Sequence, residues 1–174
     1  MSAIDNTPQN RNFLSPLNFN FTVKKLPHVN FFVQKLSVPS VNLPNTYMPT
    51  PLKRLPFPGD QLQFGTLKIQ FKVDEDLQNY LEIFNWLQAL GKPESTDQYA
   101  ALESIPLYSG EGLYSDASIV TLTGIKNANY EFNCRDTFPI SLSEMTLGTT
   151  DSDVNYVTAS AEFNFSFMTI NKIT

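Results

Sequence analysis

The sequence predicts a mainly β protein of the α+β class, an antiparallel sandwich or partly closed barrel of about seven strands covered by one helix. Apolar and polar residues alternate in most patterned segments, which is typical of half-buried strands. Only one segment has the three-and-four spacing of an amphipathic helix. The chain has 174 residues, 41% of them apolar. That length is sufficient to bury a core without disulfides or metals.

Residues 1–16 are polar and predict a flexible N-terminal arm, whereas residues 17–174 predict a single domain. Two strands are expected to follow the arm. In the first, apolar residues alternate with Asn and Thr: Phe19, Phe21 and Val23. After a break at Pro27 and His28, the second repeats the alternation: Val29, Phe31 and Val33. One face of each strand is therefore expected in the core.

Residues 37–60 predict an extended, irregular or edge-strand segment. Six of the twelve prolines lie between Pro39 and Pro58, and proline cannot donate to a sheet ladder. The segment has too many apolar residues for a solvated linker. Two interpretations stay open, a loop packed over its own core and an arm that packs on a neighbouring subunit. The second makes seven residues candidates for contacts between subunits: Tyr47, Met48, Leu52, Lys53, Arg54, Leu55 and Phe57.

The strand predicted at residues 67–73 leads directly into the one predicted helix. Apolar residues recur in that helix at spacings of three and four: Leu77, Tyr80, Leu81, Phe84, Leu87 and Leu90, widened by Ile83 and Trp86. Asp74, Glu75 and Asp76 precede it, where carboxylates cap a helix and complement its dipole. We therefore expect them to be structural rather than a metal or acid–base site. Gly91 is expected to end the helix.

The last part of the chain is predicted to be strands after a flexible surface loop at residues 93–116, which is a second candidate for subunit contacts. Strands are expected at 117–123, 128–134, 138–142 and 157–168, with a turn at 149–153. Cys134 is expected in the core. The last strand has an apolar face made of Val157, Ala159, Ala161, Phe163, Phe165 and Phe167. The residues of its other face are polar except for the last, Met168.

The composition excludes several classes of function. One cysteine and one histidine, His28, cannot form an intrachain disulfide and cannot easily supply a zinc site. No phosphate-binding loop, nucleophile elbow, zinc helix or calcium loop is present. No apolar run reaches the ~18–20 residues of a membrane span, and no signal-peptide pattern begins the chain. We expect a soluble protein without a cofactor, metal, membrane partner or enzymatic activity.

The order of the elements resembles the tail tube proteins of contractile-tailed bacteriophages, especially the T4-like group. The resemblance spans roughly residues 17–170. It depends first on an alternating strand that runs into a helix preceded by acids, with Trp at the helix centre, at residues 67–76 and 79–86. It depends further on Tyr130–Phe132, on a Phe-Pro-Ile-Ser-Leu stretch at 138–142, on a Thr/Asp turn at 149–153 and on a long terminal strand at 157–168. Related small tube-fold proteins start the tube at the baseplate or terminate it.

The resemblance implies a structural role without an enzymatic step. Members form homohexameric rings in which the sheets of neighbouring subunits join into one β-barrel around a channel. The rings stack head to tail inside the sheath, and DNA passes through the channel. Sheath, baseplate or tape-measure proteins would be partners, and passing DNA would make transient, non-specific contacts. The protein would be assembled in the host cytoplasm and reside in the virion tail.

In such a ring, the polar face of the last strand is the candidate channel lining. Its residues are small and polar, with one carboxylate: Thr158, Ser160, Glu162, Asn164 and Ser166. A channel that must release DNA should contain few Lys or Arg side chains, because their contacts with phosphates bind tightly. On a monomer the same face would simply be exposed to solvent.

Two alternatives from other classes stay open. One is a monomeric β-sandwich that binds a ligand such as carbohydrate through an exposed Trp or Tyr. The other is an enzyme with a site around His28 or the acidic loops.

Charge is divided unevenly along the chain. Residues 1–73 contain 8 Lys/Arg and 2 Asp/Glu, a balance of +6, whereas residues 74–174 contain 4 and 15, a balance of −11, and together these give the net charge of −5. We hypothesise that the two halves present opposite charges on the two stacking faces of a ring, which would steer ring-to-ring contact.

Overall fold

A computed structural model describes residues 12–92, 95–106, 109, 111–149 and 156–173. The first eleven residues of the predicted arm and most of the turn predicted at 149–153 lie outside the described residues. The elements in chain order are β1 Phe19–Val23, α1 Pro27–Phe32, β2 Val33–Ser37, β3 Val41–Asn42, β4 Asn45–Pro49, β5 Arg54–Pro58, β6 Gln63–Phe64, β7 Leu67–Lys72, α2 Gln78–Gly91, α3 Asp97–Glu103, β8 Ser115–Leu122, β9 Ala128–Leu142, β10 Thr158–Asn164 and β11 Phe167–Lys172.

The main sheet has seven strands, and the described pairs are antiparallel. The strand order is β1-β8-β9-β10-β7-β2, with β11 also paired to β9. The predicted class, mainly β with a sheet of about seven strands and a covering helix, is confirmed, although two short helices, α1 and α3, accompany the one helix that was predicted. The strands expected at 128–134 and 138–142 are one continuous strand. Its first half pairs with β8 and β11, and its second half pairs with β10.

Helix α2 covers the sheet through its middle turns. Ile83 and Trp86 are buried against a core that includes Phe71 and Phe163 from β7 and β10. Burying one side chain of this size contributes about 1.5–3 kcal/mol. The predicted apolar stripe is wider than the surface that the sheet covers, since Leu77, Leu81 and Phe84 are exposed.

The start of α2 is not capped by the three carboxylates before it, which corrects the predicted N-cap. Leu77 stands at the cap position in the left-handed region, at φ 56°, and no side chain caps the helix. Instead the buried Asn79 side chain accepts the Asp74 N–H at 3.3 Å and donates to the Lys72 carbonyl at 2.8 Å. At the other end Lys92, at φ 50°, follows Gly91 as the C-cap.

The strand expected at Val29–Val33 is wrong in its first part, because residues 27–32 form α1. Pro27 occupies the first helical turn, where its missing N–H and fixed φ are favourable. The Asn30 side chain makes two hydrogen bonds with Val23, accepting its N–H at 2.9 Å and donating to its carbonyl at 2.8 Å. These bonds hold the helix against the end of β1.

The single last strand predicted at 157–168 is two strands, with a break at Phe165–Ser166. Across the break the Ser166 N–H donates to the Arg135 carbonyl at 3.0 Å, and β11 then pairs with the first half of β9. The chain shifts by one residue there, so Phe167 is exposed and Met168 is buried, opposite to the prediction. A one-residue shift exchanges the two faces of a strand.

The loop predicted at 93–116 contains a helix, α3. The Ser95 hydroxyl accepts the Asp97 N–H at 3.3 Å just before the helix forms. In the described part of the chain, no helix is long and apolar enough to cross a membrane.

Candidate assembly surfaces

Residues 40–65 form a two-stranded hairpin arm that is paired with itself. Strands β3 and β6 pair at its base, and β4 and β5 pair towards its tip. Between the two pairs the Gly59 N–H donates to the Pro44 carbonyl at 2.8 Å, and below them the Gly65 N–H donates to the Ser40 carbonyl at 2.9 Å. Within the described residues, none of these four strands joins the main sheet.

The arm does not pack over its own domain. Every residue of β4 and β5 is exposed, and Leu52 in the turn between them is 99% exposed. The interpretation of this segment as a loop over its own core is therefore wrong. Packing on a neighbouring subunit stays a prediction.

The structure brings the seven predicted contact residues together on the outer part of the arm. Met48 lies opposite Leu55, and Phe57 lies opposite Thr46. Because strand side chains alternate with period two, these four residues share one face. Tyr47 is on the other face with Pro49, Pro56 and Pro58. Leu52 and Lys53 are in the turn, and Arg54 begins β5 directly after it, opposite Pro49.

Two glycines allow the two sides of the arm to approach closely, and one aromatic residue attaches its base to the domain. A Cβ atom on Gly59 would lie 2.3 Å from the Pro44 carbonyl oxygen, and one on Gly65 would lie 2.6 Å from the Ser40 hydroxyl. The Phe64 ring at the base contacts Phe165 and Phe167, with ring centroids 5.6 and 5.7 Å apart. The base is thus joined to the core while the outer part is exposed.

The predicted channel-lining residues lie mostly on one exposed face of β10. Thr158, Ser160, Glu162 and Asn164 alternate with residues buried in the core. Ser166 is exposed but lies in the bend between β10 and β11. Four of the five residues therefore share a strand face, and the fifth follows it.

Neighbouring strands add lysines to this face, contrary to the expectation of few cations. Lys72 lies opposite Thr158, and Lys35 lies opposite Gln70 on the next strand. Lys68 contacts Glu162, with Nζ and Oε1 2.6 Å apart. This hydrogen bond from Lys68 holds the pKa of the Glu162 carboxyl below its usual value. The prediction considered β10 alone, and cross-strand pairing was needed to see the lysines.

The main sheet has open edges. In the described part of the chain β1, β2 and β11 each pair along one side only. An unpaired strand side presents free N–H and C=O groups, which favour pairing with another chain. These edges are the second candidate assembly surface, and sequence periodicity does not reveal them.

The loop between α3 and β8 is fixed to the domain by Trp86 and Lys25. Trp86 Nε1 donates to the Leu113 carbonyl at 3.2 Å, and Lys25 Nζ donates to the Gly112 carbonyl at 2.6 Å. The Lys25 ammonium also lies 4.7 Å from the Trp86 ring centre. Burial lowers the pKa of Lys25 to about 8, partly opposed by Glu111.

Neither alternative class gains support from these residues. Trp86 is 2% exposed, so it cannot stack on a carbohydrate. His28 pairs with Glu82 at 2.5 Å, joining α1 to α2. Among the residues that the structure describes, no group of three His, Cys, Asp or Glu side chains is arranged to hold a metal.

The hypothesis that the two halves of the chain separate their charges in space is wrong in its general form. Lys24 lies 3.9 Å from Glu111, and Lys68 is paired with Glu162. Both pairs join a base of the front half to an acid of the back half. Charge separation is therefore limited to particular surfaces.

Solved structures share the fold over nearly the whole chain. One chain of the anti-feeding prophage baseplate, determined with six-fold symmetry, matches with a TM-score of 0.64 and 14% identity, covering 94% of this chain and 97% of that chain. The tube-terminating cap of the same particle matches with a TM-score of 0.63 and 14% identity, covering 99% and 100%.

A third match is to the sheath–tube complex of an extracellular contractile injection system, PVC, in its extended state. The TM-score is 0.60 and the identity 13%, with 94% of each chain covered. The chain has the fold of contractile injection-system tube components. No protein-family model and no curated protein matches the sequence, and the solved structures confirm the tube fold that the resemblance implied.

Proposed function

We propose that the chain is a non-enzymatic structural subunit of a contractile-tail tube, and that it forms six-membered rings which stack into a channel. The observation that supports this most is the match in fold over 94–99% of the chain to parts of two contractile injection systems. The matched baseplate was determined with six-fold symmetry. More specifically, the proposed assembly is the tube of a phage tail, through which DNA passes.

The open sheet edges support ring formation. A strand edge of one subunit that pairs with a neighbour satisfies the free backbone groups of both, and a closed ring leaves no edge unpaired. Six subunits joined in this way would make one continuous barrel wall.

In this proposal the polar face of β10 lines the channel. Thr158, Ser160, Glu162 and Asn164 would face the lumen with Ser166 at one end. The Glu162 carboxylate neutralises Lys68 at 2.6 Å, which weakens the attraction of that lysine for a phosphate. DNA would pass with transient, non-specific contacts. The outer partners would be sheath, baseplate or tape-measure proteins of a virion tail assembled in the host cytoplasm.

A ring protein at the baseplate or at the tube terminus is the second candidate. It is supported by the matches to a baseplate chain and to a tube-terminating cap, with TM-scores of 0.64 and 0.63. A tube subunit polymerises without a defined end, whereas a terminal protein stops at one ring.

The proposal is tested by the size and shape of the purified protein. We expect light scattering to give six times the 19.6 kDa protomer or a larger multiple, and electron microscopy to give rings with a central pore. Stacks indicate the tube, and single rings indicate the terminal role. A monomer at high concentration, also in the presence of tail proteins, would contradict both. Labelling the protein along an intact tail would locate it.

A further inference from the structure

The hairpin arm and the start of α2 lie at opposite ends of β7. The arm leaves the main sheet where β2 ends and β7 begins, since Ser37 lies opposite Lys68. Helix α2 follows the other end of β7, where Lys72 lies opposite Thr158. Features at opposite ends of one strand are suitably placed for a head-to-tail contact between copies.

An exposed apolar surface accompanies the first half of α2. Leu77, Leu81 and Phe84 follow one another at spacings of four and three and are 41–47% exposed. Beside them a groove of about 660 Å³ opens between α2 and the end of β9, with Tyr80, Phe84, Leu87, Ile140 and Leu142 in its lining. We call this surface the α2 face.

The arm and the α2 face have opposite charges. The arm has Lys53 and Arg54 at its tip and one acid, Asp60, nearer its base, whereas Asp74, Glu75 and Asp76 precede α2, with no base between residues 73 and 91. Among the described residues none of these six forms a salt bridge. The tip of the arm therefore combines apolar residues with unpaired positive charge, and the α2 face combines apolar residues with unpaired negative charge.

We propose that the hairpin arm of one copy docks on the α2 face of the next copy, which rests on the proposed function in that copies stack. Met48, Leu55 and Phe57 would bury their apolar face against Leu81 and Phe84. Lys53 and Arg54 would lie near the carboxylates before α2. The first side of the arm, residues 41–49, spans about 30 Å, which is enough to reach a neighbouring domain.

Disulfide trapping between two variants, each with one introduced cysteine, tests the contact. We mix a Leu55→Cys protein with a Leu81→Cys protein under mild oxidation, so that a bond between the two positions joins two copies. The native Cys134 is buried, and burial raises its pKa to about 11, so it should not react. Ile125→Cys, in the exposed loop between β8 and β9, replaces Leu81→Cys as the matched control.

We expect a disulfide-linked dimer with Leu81→Cys and none with Ile125→Cys. The Leu55→Cys/Leu81→Cys double variant should give a ladder of multimers. Rings or stacks that form without the Leu81 product, or with an equal Ile125 product, would overturn the docking and leave the proposed function standing. An assembly in which the Leu81→Cys thiol still reacts with maleimide would also overturn the docking, because the docked arm should cover this position. A protein that stays monomeric would overturn both.

Charge reversal gives a second test. Lys53→Glu/Arg54→Glu should slow association at low salt by about tenfold or more, because attraction becomes repulsion. Adding Glu75→Lys/Asp76→Lys should restore the rate. Lys126→Glu, which reverses a base in the loop between β8 and β9, is the control: it should leave the rate unchanged, and adding the helix change to it should bring no gain. Failure of the rescue would overturn the charge pairing.

Discussion

Strand β10 and the hairpin arm have the same antiparallel backbone pairing but differ in how many of their side chains are buried. In β10 every second side chain is buried, and Ala161 and Phe163 are fully enclosed. In β4 and β5 no side chain is buried. Both regions have hydrogen-bonded backbone pairing, so this pairing does not distinguish them. The burial of side chains distinguishes a core strand from a strand whose side chains are free to contact a partner.

The largest expected effect on stability is in the core. Phe163→Ala should lower the free energy of unfolding by about 3–5 kcal/mol, because it removes a buried ring and leaves a cavity. Urea denaturation of the unassembled protein measures it. Phe57→Ala on the arm is the matched control, and we expect it to change stability by less than about 0.5 kcal/mol. Equal losses would show that the arm packs on its own domain.

The link between β7 and α2 should have the next largest effect. Asn79→Ala leaves the Lys72 carbonyl and the Asp74 N–H without their partner, which should cost about 1–3 kcal/mol. Asn85→Ala, at an exposed position of the same helix, is the control for the loss of an amide. Matching values for the two variants would contradict the structural role of Asn79.

The Lys25 contact should make a smaller, pH-dependent contribution. The folded protein lowers the pKa of Lys25 from 10.5 to about 8, so between these values the unfolded chain binds more protons. Stability should therefore rise with pH across that window. The stability difference between the native protein and Lys25→Met should grow from pH 8 to pH 10, whereas Lys126→Met should show no such growth. A constant difference in urea denaturation would contradict the burial of this amine.

Removing the arm should have the smallest effect on the fold and the greatest on assembly. Joining Ser40 to Gly65 through two glycines deletes the arm at a point where the backbone is already hydrogen-bonded, at 2.9 Å. We expect an unchanged β-type circular dichroism spectrum and no stacks in electron micrographs. Intact stacks after the deletion would refute the role of the arm.

The sequence predicted elements best where the alternation was long and its phase constant. The segments β1, β7 and β8 were predicted correctly, as was α2 as a helix. The segment Val29–Phe32 was not, because a five-residue alternation fits a short helix as well when only Val29 is buried. The break at Phe165–Ser166 was missed because its cause is pairing with β9, a contact distant in sequence.

The candidate surfaces were predicted in part. The contact residues from Tyr47 to Phe57 were selected by proline and apolar content, but six prolines concealed the fact that the segment pairs with itself. Lys68 and Lys72 on the β10 face could not be found from that strand, since cross-strand register brings them there. The exposed side of α2 was hidden because Leu81 and Phe84 have the same spacing as core residues.

The fifteen-residue strand β9 determines which parts of the sheet must unfold together. It pairs with β8, β10 and β11, so neither half of the sheet can separate without breaking ladders on the same strand. Amide hydrogen exchange in the middle of β9 should therefore require global unfolding, whereas the amides of the arm exchange through local fluctuations. We therefore expect the domain to unfold as one cooperative unit and the hairpin arm to open independently of it.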